Sequence, residues 1–238
     1  MGGPRLPVTK ASPVSDEPNH PTPHSPDVPW VVMTRAAFED AADDNERVCE
    51  WLGVVGHAAD GEPLGRVWPR PGYAPGGTRA GWPAVHSRVS MNLTLDVLTR
   101  VDRDAWCVAA HGMEVGCPTG RTRLPDLALA REPVRHLRDS RGQNRVVLNA
   151  GVIFEVLSPA TRSVDLADKA ADYLSVPTVT DYIIVDPARV WVQHRVRADA
   201  TPGSWRVHTY EDAADAVTVA DPALTLPLSG IYARVPAG

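Results

Sequence analysis

Val152-Ile153-Phe154-Glu155-Val156-Leu157 is an apolar run broken by a single carboxylate. A run of this length, closed by the turn-forming Ser158-Pro159, reads as a central strand buried on both faces. A carboxylate in such a run is expensive to bury unless it is paired or bound to a metal ion. The plain alternative is a strand-end glutamate that faces solvent or meets an arginine. Upstream, Leu124-Pro125-Asp126 opens a second strand-like run, Leu127-Ala128-Leu129-Ala130. Asp126 taken alone could equally be a turn-forming aspartate. Two such strands side by side would bring Asp126 and Glu155 to one edge of a sheet. Hard oxygen ligands of this kind, completed by the Val156 carbonyl and water, suit Mg²⁺ or Mn²⁺.

A site that hydrolyses phosphate esters also needs a cation. Position 157, on the same strand face as Glu155, is leucine, so the cation has to come from elsewhere. Thr161 or Ser163 can cap a helix running to about Ser175, with Leu166, Ala170 and Leu174 on its buried stripe. That helix presents Lys169. Of 24 basic residues only Lys10 and Lys169 are lysine. In so arginine-rich a chain a merely solvated cation would be arginine, whereas a compact ammonium can change protonation when desolvated. The competing role for Lys169 is an i,i+4 pair with Asp165, worth about 0.2–0.5 kcal/mol. Both roles are compatible, because Asp165 could orient the lysine.

Working outward, residues 1–29 are rich in Pro, Ser, Thr, Asp and His and read as a disordered leader; one domain is expected over 30–236. Thr34 is a helix N-cap for Arg35 to about Ala42. Val48–Val55 reads as a strand or hairpin turning near Gly53. Residues 56–83 form a Gly/Pro/Trp-rich loop, longer than compact domains usually carry. His86 to about Asp102 has helical spacing, with Val89, Leu93 and Val97 recurring every fourth residue. Strands are expected within 105–117, over Leu124–Ala130 and Val146–Leu148, and at Asp181–Asp186. Val190–Val196 and Trp205–Tyr210 flank a Thr201-Pro202-Gly203 turn, and Val217–Val235 supplies an edge strand and closing segment. The sum is an α/β chain with a mixed sheet and few helices.

The net charge of −5 runs against broad phosphate binding, so any nucleic-acid contact needs a local basic patch. Residues 131–145 provide one, with Arg131, Arg135, Arg138, Arg141 and Arg145 in what reads as a loop; a solvated loop is the competing reading. Cys49, Cys107 and Cys117 form no C-x-x-C pair and suggest a reducing compartment. Cys107, His111 and Cys117 match no common zinc spacing. The first residues lack the apolar core of a signal peptide, and no stretch is apolar enough to span a bilayer. A cytoplasmic protein is expected.

The pattern Pro125-Asp126, Phe154-Glu155-Val156-Leu157-Ser158-Pro159-Ala160-Thr161, Asp165, Lys169, Tyr173 and Asp181-Tyr182-Ile183-Ile184-Val185-Asp186-Pro187 resembles the Uma2 family of the PD-(D/E)XK nuclease superfamily. The resemblance is dense over 120–190 and looser back to His86 and forward to the C-terminal hairpin. It implies a restriction-endonuclease-like mixed β-sheet core flanked by helices, with a C-terminal β-hairpin. It further implies Asp126 and Glu155 as metal ligands, with the catalytic lysine moved from the strand onto the helix at Lys169. Glu50 and His86 are supporting candidates by the same resemblance. The family pattern has a Glu four residues before a Gly turn, whereas Glu50 stands three before Gly53 and Leu52 replaces the customary Asp. The expected function is Mg²⁺-dependent hydrolysis of DNA phosphodiesters, for which a homodimer would suit double-strand cutting. The rival expectation is a catalytically silent nuclease-fold protein that binds nucleic acid or another protein.

Overall fold

The structure, a computed structural model, describes residues 31–37, 49–69, 84–110, 113–138, 144–157, 166–199, 201 and 203–235. The chain divides into two compact units, 1–78 and 79–238, each described by itself. The expected leader, 1–29, lies outside the described residues.

In the first unit, β1 (Val31–Thr34), β2 (Cys49–His57) and β3 (Pro63–Pro69) form an antiparallel sheet in the order β1-β3-β2. The Thr34 hydroxyl accepts the Ala37 N–H at 3.1 Å, the expected cap; the remainder of that helix, to Ala42, lies outside the described residues. The turn expected at Gly53 is instead at 58–62. There Asp60 Oδ1 accepts the Glu62 N–H, and Gly61 takes a φ of 85° that other residues rarely adopt. Gly53 falls where β2 bulges, between Trp51 and Val54. Nor is 56–83 one long loop, because β3 occupies 63–69; residues 70–83 lie outside the described residues. Gly65 is buried against the Trp51 indole, which stands where a Cβ would go.

The second unit is built on a six-stranded sheet. Its members are β4 (Trp106–Ala110), β7 (Leu127–Arg131), β10 (Ala150–Val156), β11 (Asp181–Val185), β12 (Val192–Arg197) and β13 (Trp205–Tyr210), in the order β13-β12-β11-β10-β7-β4. β10 and β11 are parallel and every other pair is antiparallel. Parallel neighbours need a crossover, and the connection from β10 to β11 carries helix α2 (Asp168–Ser175).

Alternation along β10 sorts its side chains onto two faces. Val152, Phe154 and Val156 join a core with Val89, Leu93 and Val97 of helix α1 (Ala84–Arg100). The hairpin β14 (Ala216–Val219) and β15 (Leu224–Pro227) closes this core, with the short helix α3 (Leu228–Ile231). On the opposite face Ile153 and Leu157 pack with Ala170 and Tyr173 of α2. This second core also takes Val115 and Val147 from a smaller sheet of β5 (Glu114–Gly116), β6 (Thr122–Arg123), β8 (His136–Arg138) and β9 (Asn144–Val147), ordered β6-β5-β9-β8. Among the described residues no helix is long and apolar enough to cross a membrane.

The region 131–145, read from sequence as a loop, contains β8 and β9 paired antiparallel. Asn149 satisfies the backbone of the segment that leads from β7 into β8. Its amide oxygen accepts the Arg135 N–H, and its nitrogen donates to the Arg131 and Pro133 carbonyls. After α3, the Tyr232 hydroxyl lies 2.9 Å from the Asp186 and Trp191 carbonyl oxygens and accepts the Trp191 N–H. Burial pushes its pKa up to about 12.

Two outcomes follow. Gly65→Ala should lose about 1–3 kcal/mol in urea denaturation, because the new methyl overpacks the Trp51 ring. Gly56→Ala, with nothing within 4 Å of its Cβ, should change the midpoint little. The neutral Tyr232 phenol is favoured in the fold, so its folded pKa lies above the unfolded value near ~10. Its contribution is therefore intact below that value and lost as pH rises towards about 12. Denaturation curves across this window should flatten in Tyr232→Phe relative to the wild-type chain.

Candidate active site

The β7–β10 ladder ends at the pair Leu127↔Phe154. One step further along the two strands, Asp126 and Glu155 are neighbours at the sheet edge. Beyond the ladder, the Val156 N–H donates to Asp126 Oδ2 at 2.8 Å instead of to a backbone carbonyl. The Val156 carbonyl lies 2.9 Å from His86 Nε2, in the first turn of α1. A carbonyl only accepts, so this nitrogen carries the proton; Ser90 Oγ lies 3.4 Å from the other. His86 Nε2 is also 3.8 Å from Asp126 Oδ2. The histidine thus secures the strand end on which the two acids stand. Asp126 and His86 are both buried.

Glu155 is 1% exposed and points to the α2 face. Lys169 Nζ lies 3.1 Å from its Oε1, and the Tyr173 hydroxyl donates to the same oxygen at 2.9 Å. Lys169 is itself 2% exposed. The reach of the helix lysine back over the strand, expected from sequence, is the observed geometry. Asp165, expected to orient Lys169, and the caps Thr161 and Ser163 lie outside the described residues.

The buried stripe of α2 differs from the expected one. Leu166 and Leu174 are half-buried, and the inward face is Lys169, Ala170, Asp172 and Tyr173. Asp172 meets Arg123 of β6, whose Nη2 and Nε both lie 2.6 Å from Asp172 Oδ2. Arginines of β12 hold the helix ends. Arg195 donates to the Leu166 carbonyl, and Arg197 to the carbonyls of Val176 and Val179 at 2.9 and 2.8 Å. Leu166 precedes the helix and Val176 and Val179 follow it, so the two guanidiniums tie the segments flanking α2 to the sheet. Sequence reasoning missed Arg123, Asp172 and both clamps. One signal was available: Asp172 and Tyr173 stand three and four residues after Lys169, hence on its face.

The remaining candidates are placed as follows. Glu50 lies on β2 of the first unit, where its backbone pairs with Trp68; its side chain lies outside the described residues. Arg131 makes a two-pronged ion pair with Asp221, both oxygens at 2.8 Å, and its guanidinium sits 4.9 Å from the Trp106 ring centre. Its observed partners are therefore structural ones. Arg135 and Arg138 are exposed at β8, Arg145 is on β9 with its side chain outside the described residues, and so is the whole of Arg141. Cys107 is half-buried on β4, and burial pushes its thiol up.

Hard oxygen donors are what the site offers: two buried carboxylates and a carbonyl whose second lone pair is compatible with a further partner. Among the described residues no three His, Cys, Asp or Glu side chains form a metal-holding group by themselves. Oxygen donors of this class suit a hard cation such as Mg²⁺ better than a soft one.

No family model matches the chain, and no curated protein matches it. Among solved structures it is similar to a protein of Anabaena variabilis described as a "putative nuclease belonging to DUF820". The TM-score is 0.61, over 86% of this chain and 99% of that one, at 13% identity. A likeness at that identity speaks for the fold. The chain has the mixed α/β fold of that protein, with few helices and a C-terminal hairpin, as the sequence led one to expect.

The Glu155–Lys169 pair has a thermodynamic signature. Lys169→Met leaves a buried carboxylate without its cation and should cost about 3–5 kcal/mol in chemical denaturation. Glu155→Leu added to Lys169→Met should recover much of that loss. A double variant no more stable than Lys169→Met would show that the two groups are not coupled.

Proposed function

We propose that this protein hydrolyses DNA phosphodiester bonds with the help of Mg²⁺ or Mn²⁺. The observation that carries this reading is the Lys169 ammonium, 3.1 Å from the Glu155 carboxylate, beside the strand end that bears Asp126. Asp126, Glu155 and the Val156 carbonyl would hold the metal, which when bound supplies Lewis-acid polarisation of a phosphoryl oxygen and a more acidic water. Lys169 orients the attacking water and offsets negative charge that grows on phosphorus-bound oxygens in the transition state. The water oxygen bonds to phosphorus as the opposite P–O bond breaks, leaving one phosphate end and one hydroxyl end. Glu155, fixed from one side by Lys169 and Tyr173, costs little reorganisation during that step. Arg135, Arg138, Arg141 and Arg145 meet the phosphate backbone, Arg131 contributes at most through its placement by Asp221, and Asp165 steadies Lys169. A symmetric dimer would present two such sites to a duplex.

A second reading has its own support. Glu155 and Lys169 neutralise each other at 1–2% exposure, which also suits a silent nuclease-fold protein that binds nucleic acid or another protein.

Purified protein with Mg²⁺ or Mn²⁺ should nick or cut plasmid DNA. Glu155→Ala and Lys169→Ala, checked for folding by circular dichroism, should lower the rate by roughly 100-fold or more. Full cleavage by Glu155→Ala would sink the mechanism. DNA retention without cleavage under any divalent ion would favour the silent reading.

A further inference from the structure

We infer that the buried Arg123–Asp172 ion pair is the device that sets where Lys169 stands, making Arg123 and Asp172 positioning residues for the proposed hydrolytic site. The inference rests on that reading of Asp126, Glu155 and Lys169. Arg123 is 2% exposed and Asp172 3%. Arg123 lies three residues before Asp126 on the segment entering β7, and Asp172 lies three residues after Lys169 on α2. One ion pair therefore joins the segment that carries an acid to the helix that carries the ammonium.

The shape of the pair suits this task. Nε and Nη2 of Arg123 both converge on Asp172 Oδ2, Arg121 Nη1 approaches the same oxygen at 3.5 Å, and Thr119 donates to Oδ1 at 3.3 Å. A planar guanidinium fork constrains direction as well as distance, which a point charge does not. The helix is eight residues long, and its buried face combines Ala170 and the Tyr173 ring with two charged groups, so the direction of the ion pair adds to apolar contact in fixing its rotation. Positions three apart share a helix face. A rotation that carries Asp172 off Arg123 therefore carries Lys169 off Glu155. A buried ion pair is a poor device for stability alone, since well-packed apolar residues often do as well. Here its direction is what the neighbouring site uses.

The chain has two lysines, Lys10 and Lys169, so lysine-selective ¹³C,¹⁵N labelling gives two side-chain signals, assigned by Lys169→Arg. At one fixed pH, the wild-type Lys169 signal should stand apart from that of free lysine, with slow ammonium exchange. In folded Asp172→Asn and Arg123→Gln proteins it should move to the free-lysine position. The kcat on DNA should fall roughly tenfold or more, with KM within about twofold. Asp172→Glu, which keeps the carboxylate, should retain more of both than Asp172→Asn. Should single variants fail to fold, Arg123→Met with Asp172→Leu removes both buried charges and carries the same test. An unchanged Lys169 signal in a folded variant overturns the inference. The spectrum needs no turnover: an inactive wild-type protein whose Lys169 signal still depends on Asp172 overturns the hydrolytic reading and upholds the coupling.

Discussion

A carboxylate at 1% exposure in the second-to-last position of a central strand imposes conditions on everything near it. Glu155 has left water, and an unpaired charge there would cost more than a typical domain's margin of stability can absorb. A cation and a hydroxyl donor must therefore stand over the strand end. Both come from α2, as Lys169 and Tyr173. The helix that delivers them cannot present a fully apolar face to the sheet, because two of its inward positions are spent on polar groups. Its apolar packing through Ala170 and Tyr173 is supplemented by ionic and backbone contacts with Arg123, Arg195 and Arg197. The arginine-rich composition has a structural meaning in this setting. Guanidinium forks hold carboxylates and helix-end carbonyls, and the compact lysine is kept for the place beside Glu155.

The same economy governs the strand end. Val156 lies two residues beyond the last pair of the antiparallel ladder, and its N–H and carbonyl there are taken up by side chains from other elements. Asp126 accepts the N–H and His86 donates to the carbonyl. Asp126 thus has a structural bond as well as a candidate catalytic role, and substitution there disturbs strand and site together. His86, a supporting candidate by the family resemblance, is the group that joins α1 to the acidic edge.

The basic patch needs a narrower description than its sequence suggests. Arg131 is committed to Asp221 and Trp106, while Arg135 and Arg138 stand exposed on β8 of the smaller sheet. In a chain of net charge −5, attraction to a polyanion has to be local, and screening confines it to about 8–10 Å at ordinary salt.

Much was legible in the sequence because burial leaves a local record. The periodicity of Val89, Leu93 and Val97, the apolar run around Glu155 and the scarcity of lysine pointed to α1, to the central strand and to the helix lysine that stands beside Glu155. Where two local signals competed, the outcome was misread: Gly53 proved to be at a bulge while Asp60-Gly61 made the turn, and the stretch read as an arginine loop holds the paired strands β8 and β9. Partners were the harder matter. Lys169 and Glu155 are 14 residues apart, Asp126 and Val156 30, Arg123 and Asp172 49, and His86 and Val156 70. The residue types and their periods by themselves determined the α/β class, the strands that carry the acids and the helix that carries the ammonium. Only the tertiary structure decided which face of that helix turns inward, and that Arg123 holds it there. Periodicity reports that a side chain is buried, whereas the identity of its partner depends on how distant segments meet.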